Sequence, residues 1–184
     1  MSEEVHVWRI DLDREPARPA DRLPRGERER AAGIVRPEAR RHWVAARWAL
    51  RGVLSRYLDE DPAQIELRLG ERGKPALAAP HSSLHFNLSH SGDRALIAVC
   101  RDREVGVDLQ RVRRLRGRER PAEFYAGWTR HEAIAKCHGV GLWAPLPDLP
   151  VSVRGLAAER GYAAAVAVSG AELPAVRQRS VGPA

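Results

Sequence analysis

The segment Val105-Gly106-Val107-Asp108-Leu109-Gln110 constrains this chain more than any other stretch. Its alternation is that of a buried strand: Val105, Val107 and Leu109 face one side, Gly106 and Asp108 the other. Asp108 is thereby pointed away from the apolar layer. A second segment, Trp128-Thr129-Arg130-His131-Glu132-Ala133-Ile134-Ala135-Lys136, reads as a helix with a glutamate and a lysine one turn apart. Two carboxylates on separate elements can share a divalent cation, and a nearby lysine can hold a phosphate, which suits phosphoryl-group transfer. The residues alone also admit an ordinary strand-end acid beside a surface helix pair worth roughly a few tenths of a kcal/mol.

The remaining composition narrows the setting. A chain of 184 residues, 43% hydrophobic and 30% charged, forms one soluble domain or two closely packed halves. Its net charge of +7 implies an anionic partner: nucleic acid, a membrane surface, a polyphosphate cofactor or an acidic protein. No reader motif or aromatic platform supports nucleic acid. The aliphatic stretches at residues 95–100 and 163–168 are too short to span a bilayer, and the acidic start Met1-Ser2-Glu3-Glu4 has no apolar signal core. Cys100 and Cys137 are widely separated and lack a CxxC motif, so buried, reduced thiols in a cytoplasmic protein are expected.

Along the chain, residues 5–12 read as an opening strand, and residues 13–30 as a Pro- and Arg-rich connection running into a short helix. From Pro37, Trp43, Ala46, Leu50, Val53, Leu54 and Tyr57 recur at helical spacing, with Arg40, Arg47 and Arg51 on the other face. Ile65, Leu67 and Leu69 alternate into a half-buried strand, residues 70–75 turn, and Leu84, Phe86 and Leu88 form another strand that gives way to Ser89-His90-Ser91-Gly92. Residues 95–100 and 105–109 read as an antiparallel hairpin through Asp102-Arg103. Six arginines within residues 111–120 suggest a solvated loop. Pro121 opens the helix of Glu132, and Gly139 stops it. Residues 151–153 and 162–168 read as closing strands, and the tail after Pro174 as loose. Strand, helix, strands occurs twice, consistent with two similar halves.

Gly106-Val107-Asp108 followed by Trp128-Thr129-x-x-Glu132-Ala133-x-x-Lys136 resembles the signature of the 4'-phosphopantetheinyl transferases, closest to the surfactin-synthetase (Sfp-like) type, whose pattern is (V/I)-G-(V/I)-D and then W-(S/T)-x-K-E-(A/S)-x-x-K. Gly73-Lys74-Pro75 resembles the family's GKP turn, Phe86-Asn87-Leu88-Ser89-His90-Ser91-Gly92 its FN(I/L)SHSG segment, and Gly141-Leu142-x-x-Pro145-Leu146 a stretch past its catalytic helix. A Walker loop does not fit, since Pro75 replaces the required Ser/Thr. Zinc is not supported by His81, His85 and His90, which lack a second ligand cluster.

The resemblance implies an α+β fold of two pseudo-symmetric halves, each a small, mainly antiparallel sheet packed on a long helix. The halves are placed at residues 1–103 and 104–184. Coenzyme A is implied in the cleft between them, with Arg36, Arg51, Lys74, Ser89 and His90 as its contacts. Asp108, Glu132 and Lys136 are the implied catalytic residues, and Asp108, Glu132 and Gln110 the implied Mg²⁺ ligands. The implied reaction moves the 4'-phosphopantetheine arm to a serine of an acyl or peptidyl carrier protein and releases 3',5'-ADP. A cytoplasmic monomer is expected, with coenzyme A and a carrier as partners and neither nucleic acid nor membrane. The alternative is a repurposed member that binds coenzyme A or a carrier without transfer.

The sequence departs from the family at three places. Gln110 stands where many relatives have a metal-holding Glu, and His131 replaces the usual lysine beside Glu132. Asp108 and Glu132 are 24 positions apart, roughly half the separation typical of the Sfp type. The shortened part would hold elements that help receive the carrier; either the arginine run substitutes for it, or docking is lost.

Overall fold

The computed structural model describes residues 4–16, 20–70, 74–112, 114, 115, 118, 119, 122–141 and 143–180. Alternation in the first strand sets the layering. In β1 (Glu4–Asp11), Val5 and Val7 face one side, while Trp8 and Ile10 face the other. Trp8 and Ile10 pack with Ala46, Leu50, Val53 and Leu54 of the long helix α2 (Pro37–Leu58), which begins with Pro37 in its first turn and ends at left-handed Asp59. A short helix α1 (Arg25–Ala32) lies against it.

β1 is central in a four-stranded sheet of order β11-β1-β5-β4, with β4 at Leu84–Ser91, β5 at Arg94–Arg101 and β11 at Ala175–Ser180. Val5 and Val7, with Leu96 and Ala98, pack against Val105, Val107, Leu109, Val166 and Val168 of a second sheet. That sheet has the order β6-β10-β9, from β6 (Val105–Arg111), β9 (Val151–Gly155) and β10 (Tyr162–Ser169). Its far face carries α3 (Ala122–Cys137) through Ala133, Cys137, Ala165 and Ala167. The layers therefore run helix, sheet, sheet, helix, an α+β architecture as expected. Two hairpins complete it: β2 (Leu67–Leu69) with β3 (Pro75–Leu77), and β7 (Arg114–Leu115) with β8 (Arg118–Glu119).

Three expectations are corrected. β5 and β6 do not form a hairpin: β5 is flanked by β1 and β4, and β6 pairs with β10. Asp102, at φ 59°, instead turns the chain from one sheet into the other. The segment after Leu88 does not leave the sheet, since β4 runs to Ser91 and turns at Gly92 (φ 62°) into β5. The tail after Pro174 is not loose but pairs in parallel with β1, from Glu4–Ala175 to Arg9–Ser180. The boundary at residue 103 falls where the chain changes sheets, and β11 recrosses it. Among the described residues no helix is long and apolar enough to cross a membrane.

Candidate active site

Gly106 is the point from which the site is built. A Cβ there would lie 2.1 Å from the Ala133 carbonyl oxygen and 2.4 Å from the Cys137 backbone nitrogen. Only a residue without a side chain lets α3 settle this closely on β6. Two residues on, the same face carries Asp108, 4% exposed, and the close packing brings Lys136 of α3 to it. Lys136 Nζ donates to Asp108 Oδ1 at 2.6 Å and to Ser89 Oγ at 3.1 Å, and Ser89 Oγ donates to the same Asp108 oxygen at 2.9 Å.

Ser89 belongs to a ladder that joins the two sheets. The backbone N–H groups of Val107, Leu109 and Arg111 donate to Asn87 Oδ1, Ser89 Oγ and Ser91 Oγ at 2.9, 3.2 and 3.0 Å. Alternate side chains of β4 thus supply the partners that a neighbouring strand would otherwise give to the free edge of β6. Both oxygens of Asp108 are inside, but only Oδ1 is used. Oδ2 is buried without a hydrogen-bond partner among the described residues, a costly state for a carboxylate unless something positive comes to it.

Glu132 lies one turn before Lys136. Burial, and secondarily the charge of Asp108, raise its pKa above the ordinary carboxylate value. Gln110 takes the next position on the Asp108 face of β6 and is half-buried. His90 is exposed and, by the alternation of β4, lies on the α2 side, opposite Ser89; the density of protein around it, and then the charges of His42 and Lys136, lower its pKa. His42, from α2, is 6% exposed and holds Asp13 Oδ1 at 2.9 Å, where Arg41 also donates at 2.6 Å. No motif pointed to His42. On sequence it is one more polar position of an amphipathic helix, and only the fold brings it near His90.

The other residues expected to contact coenzyme A make the following bonds within the protein. Lys74 Nζ donates to Glu104 Oε2 at 2.6 Å and to the carbonyls of Val105 and Cys137 at 2.9 and 3.2 Å. It is a strut between the turn before β3 and the end of α3. Arg51 is 1% exposed and donates to Glu27 and to the carbonyls of Pro62 and Ile65. With Arg47, which also pairs with Glu27 rather than lying on a solvated face, it lines a cavity of about 970 Å³ beside β2 and β3. Arg36, the N-cap of α2, is exposed. Gly73, Leu142 and Arg113, Arg116 and Arg120 of the arginine run lie outside the described residues. Both cysteines are buried, and burial pushes the Cys137 thiol up to about 11, an inert setting.

The family described as "4'-phosphopantetheinyl transferase, N-terminal" matches residues 13–102. The 4'-phosphopantetheinyl transferase HetI of Nostoc sp. is 34% identical over 180 residues, covering 83% of this chain and 76% of its own. A putative 4'-phosphopantetheinyl transferase of Synechocystis sp., slr0495, is 31% identical, covering 77% of this chain and 68% of its own. The 4'-phosphopantetheinyl transferase AcpT of Escherichia coli is 34% identical, with coverage of 74% and 76%. The chain belongs to the 4'-phosphopantetheinyl transferase family. Within it, these relatives do not single out the surfactin-synthetase type.

Proposed function

We propose that this chain, as a shortened member of the surfactin-synthetase type, transfers the 4'-phosphopantetheine arm of coenzyme A to a serine of an acyl or peptidyl carrier protein in the cytoplasm. The observation that carries the reading is the meeting of Asp108, Lys136 and Ser89 with one buried carboxylate oxygen left over, beside a glutamate of raised pKa. The division into halves at residue 103 belongs to the same proposal, with coenzyme A between them.

Mg²⁺ fits these residues. Asp108 Oδ2 is a buried acceptor without a donor, Glu132 supplies a second carboxylate, and Gln110 offers an amide oxygen on the same strand face. Among the described residues no group of three His, Cys, Asp or Glu gathers. That suits an ion that keeps several waters and completes its shell with substrate phosphates. Bound there, it would neutralise charge developing on the pyrophosphate.

The protein's own groups do the rest. Lys136, already aimed at Asp108, offers its charge to the transferred phosphoryl group, and His90 donates to a phosphate oxygen of coenzyme A. Glu132, directly or through water, takes the serine proton; its raised pKa makes it a better base than an exposed glutamate. The serine oxygen bonds to the β-phosphorus, and the bond from that phosphorus to the leaving oxygen of 3',5'-ADP breaks. Lys74 and Arg51 act in this scheme by holding the scaffold rather than by touching nucleotide.

Intact-mass measurement on an apo carrier protein incubated with enzyme, coenzyme A and Mg²⁺ tests the reading. A mass increase of one phosphopantetheine is expected. Tight coenzyme A binding without any such increase would instead support the repurposed-member alternative.

A further inference from the structure

The buried stripe of α3, Tyr125, Thr129, Ala133 and Cys137, faces the second sheet. One residue earlier runs another stripe at the same spacing: Phe124, Trp128, Glu132 and Lys136. Its first half is aromatic and its second half is the candidate active site. Phe124 and Trp128 stack with centroids 6.2 Å apart at 18°, and Trp128 meets Trp143 edge-on at 6.3 Å and 64°. Phe124 is 39% and Trp143 86% exposed, and Leu149, on the same connection as Trp143, is 64% exposed. Single exposed apolar residues are ordinary, but three contiguous rings on a surface are not.

We propose that this aromatic ledge seats the acceptor: an acidic carrier protein, through the apolar face beside its reactive serine. The inference rests on the transferase reading above and adds the place of docking. Its first support is continuity. At a rise of about 1.5 Å per residue, Trp128 stands about 6 Å and Phe124 about 12 Å along the helix from Glu132. A protein whose serine reaches Glu132 covers that ground. Its second support is charge. The ledge follows directly on residues 111–120 with their six arginines, so an apolar patch is joined in the chain to a strongly basic segment. An acidic partner with an apolar contact matches both. Aromatic side chains, Phe included, are enriched in such contacts, and Trp is among those that dominate their energy.

The test is transfer kinetics with a purified apo acyl carrier protein, comparing wild type with Trp143→Ser, Phe124→Ser and Trp143→Phe. Both serine variants should raise the carrier KM about tenfold, with the coenzyme A KM and melting temperature unchanged. Trp143→Phe should recover most of the loss. Carrier-dependent protection from hydrogen exchange is expected over residues 122–130 and 143–149. If wild type transfers and the serine variants keep its carrier KM, the ledge is overturned while the transferase reading stands. If wild type transfers to no carrier, the transferase reading fails and takes the ledge with it.

Discussion

Ser89 and Asp108 meet across the seam between two sheets, hydroxyl to carboxylate oxygen at 2.9 Å. The same hydroxyl accepts the Leu109 N–H, so one side chain both holds the strand that bears the acid and fixes which oxygen of the acid is spent. Ser89→Ala should therefore cost about 1–3 kcal/mol, because it strands a buried N–H as well as removing a donor. Chemical denaturation measures this. Coenzyme A affinity should fall less than stability, and the opposite order would return Ser89 to the nucleotide contacts.

Gly106→Ala should be the most damaging single-atom-scale change in the chain. The added methyl would meet backbone, not a side chain that can rotate aside. A loss of about 3 kcal/mol or more is expected, or failure to fold. A melting temperature near wild type would show that α3 can ride higher on the sheet than the structure indicates.

The strut Lys74 is expected to behave as structure. Lys74→Met leaves the carbonyls of Val105 and Cys137 without their donor and Glu104 without one of its cations. A drop of about 1–2 kcal/mol in unfolding free energy, with coenzyme A affinity held within twofold, is the expected pairing. Calorimetric titration on the folded variant decides it.

Glu104 gives a pH dependence with a definite sign. The His85 contact, then Lys74, hold its carboxyl down to about 2 against an ordinary 4.5, with burial opposing them. Stability from this depression is present above about pH 4.5 and is lost as pH falls toward 2. Because the side chain is 48% exposed, solvent screening reduces the contribution to about 1 kcal/mol. The stability difference between wild type and Glu104→Gln should therefore shrink across that window. A constant difference in acid denaturation series would show that the charge does not matter.

Glu132→Gln should lower transfer by about 10²–10⁴-fold while sparing coenzyme A binding, since the amide cannot take a proton. Single-turnover mass analysis separates the two. Near-normal turnover would move the base elsewhere.

How much of this was legible in the sequence depends on whether the signal is local. Alternation placed Asp108 on the face opposite Val107 and Leu109, and spacing set Glu132 one turn from Lys136; both describe neighbours in the chain. β11 was missed because a mostly exposed strand, with Arg177 and Arg179 outward, has no apolar alternation to read. Arg51 reads from the sequence as a cation on the polar face of a helix, open to a nucleotide phosphate, since nothing in its flanking residues announces Glu27, 24 positions away. The polar run Asn87-Leu88-Ser89-His90-Ser91 read as the end of a strand because its partners, the N–H groups of β6, lie 20 positions further on. Residue-level polarity marks the seam correctly but ends the strand there too early.

That seam has a mechanical consequence. A cleft between two lobes usually admits its ligand by hinging, and a hinge works when the lobes share few bonds near the chemistry. Here the side-chain rungs from Asn87, Ser89 and Ser91 cross the parting line, and the middle one also grips Asp108. Prising the lobes apart would unseat Asp108 in the same motion. The enzyme is thus expected to work as a fixed jig, loaded from its open side, with the moving parts supplied by the substrates.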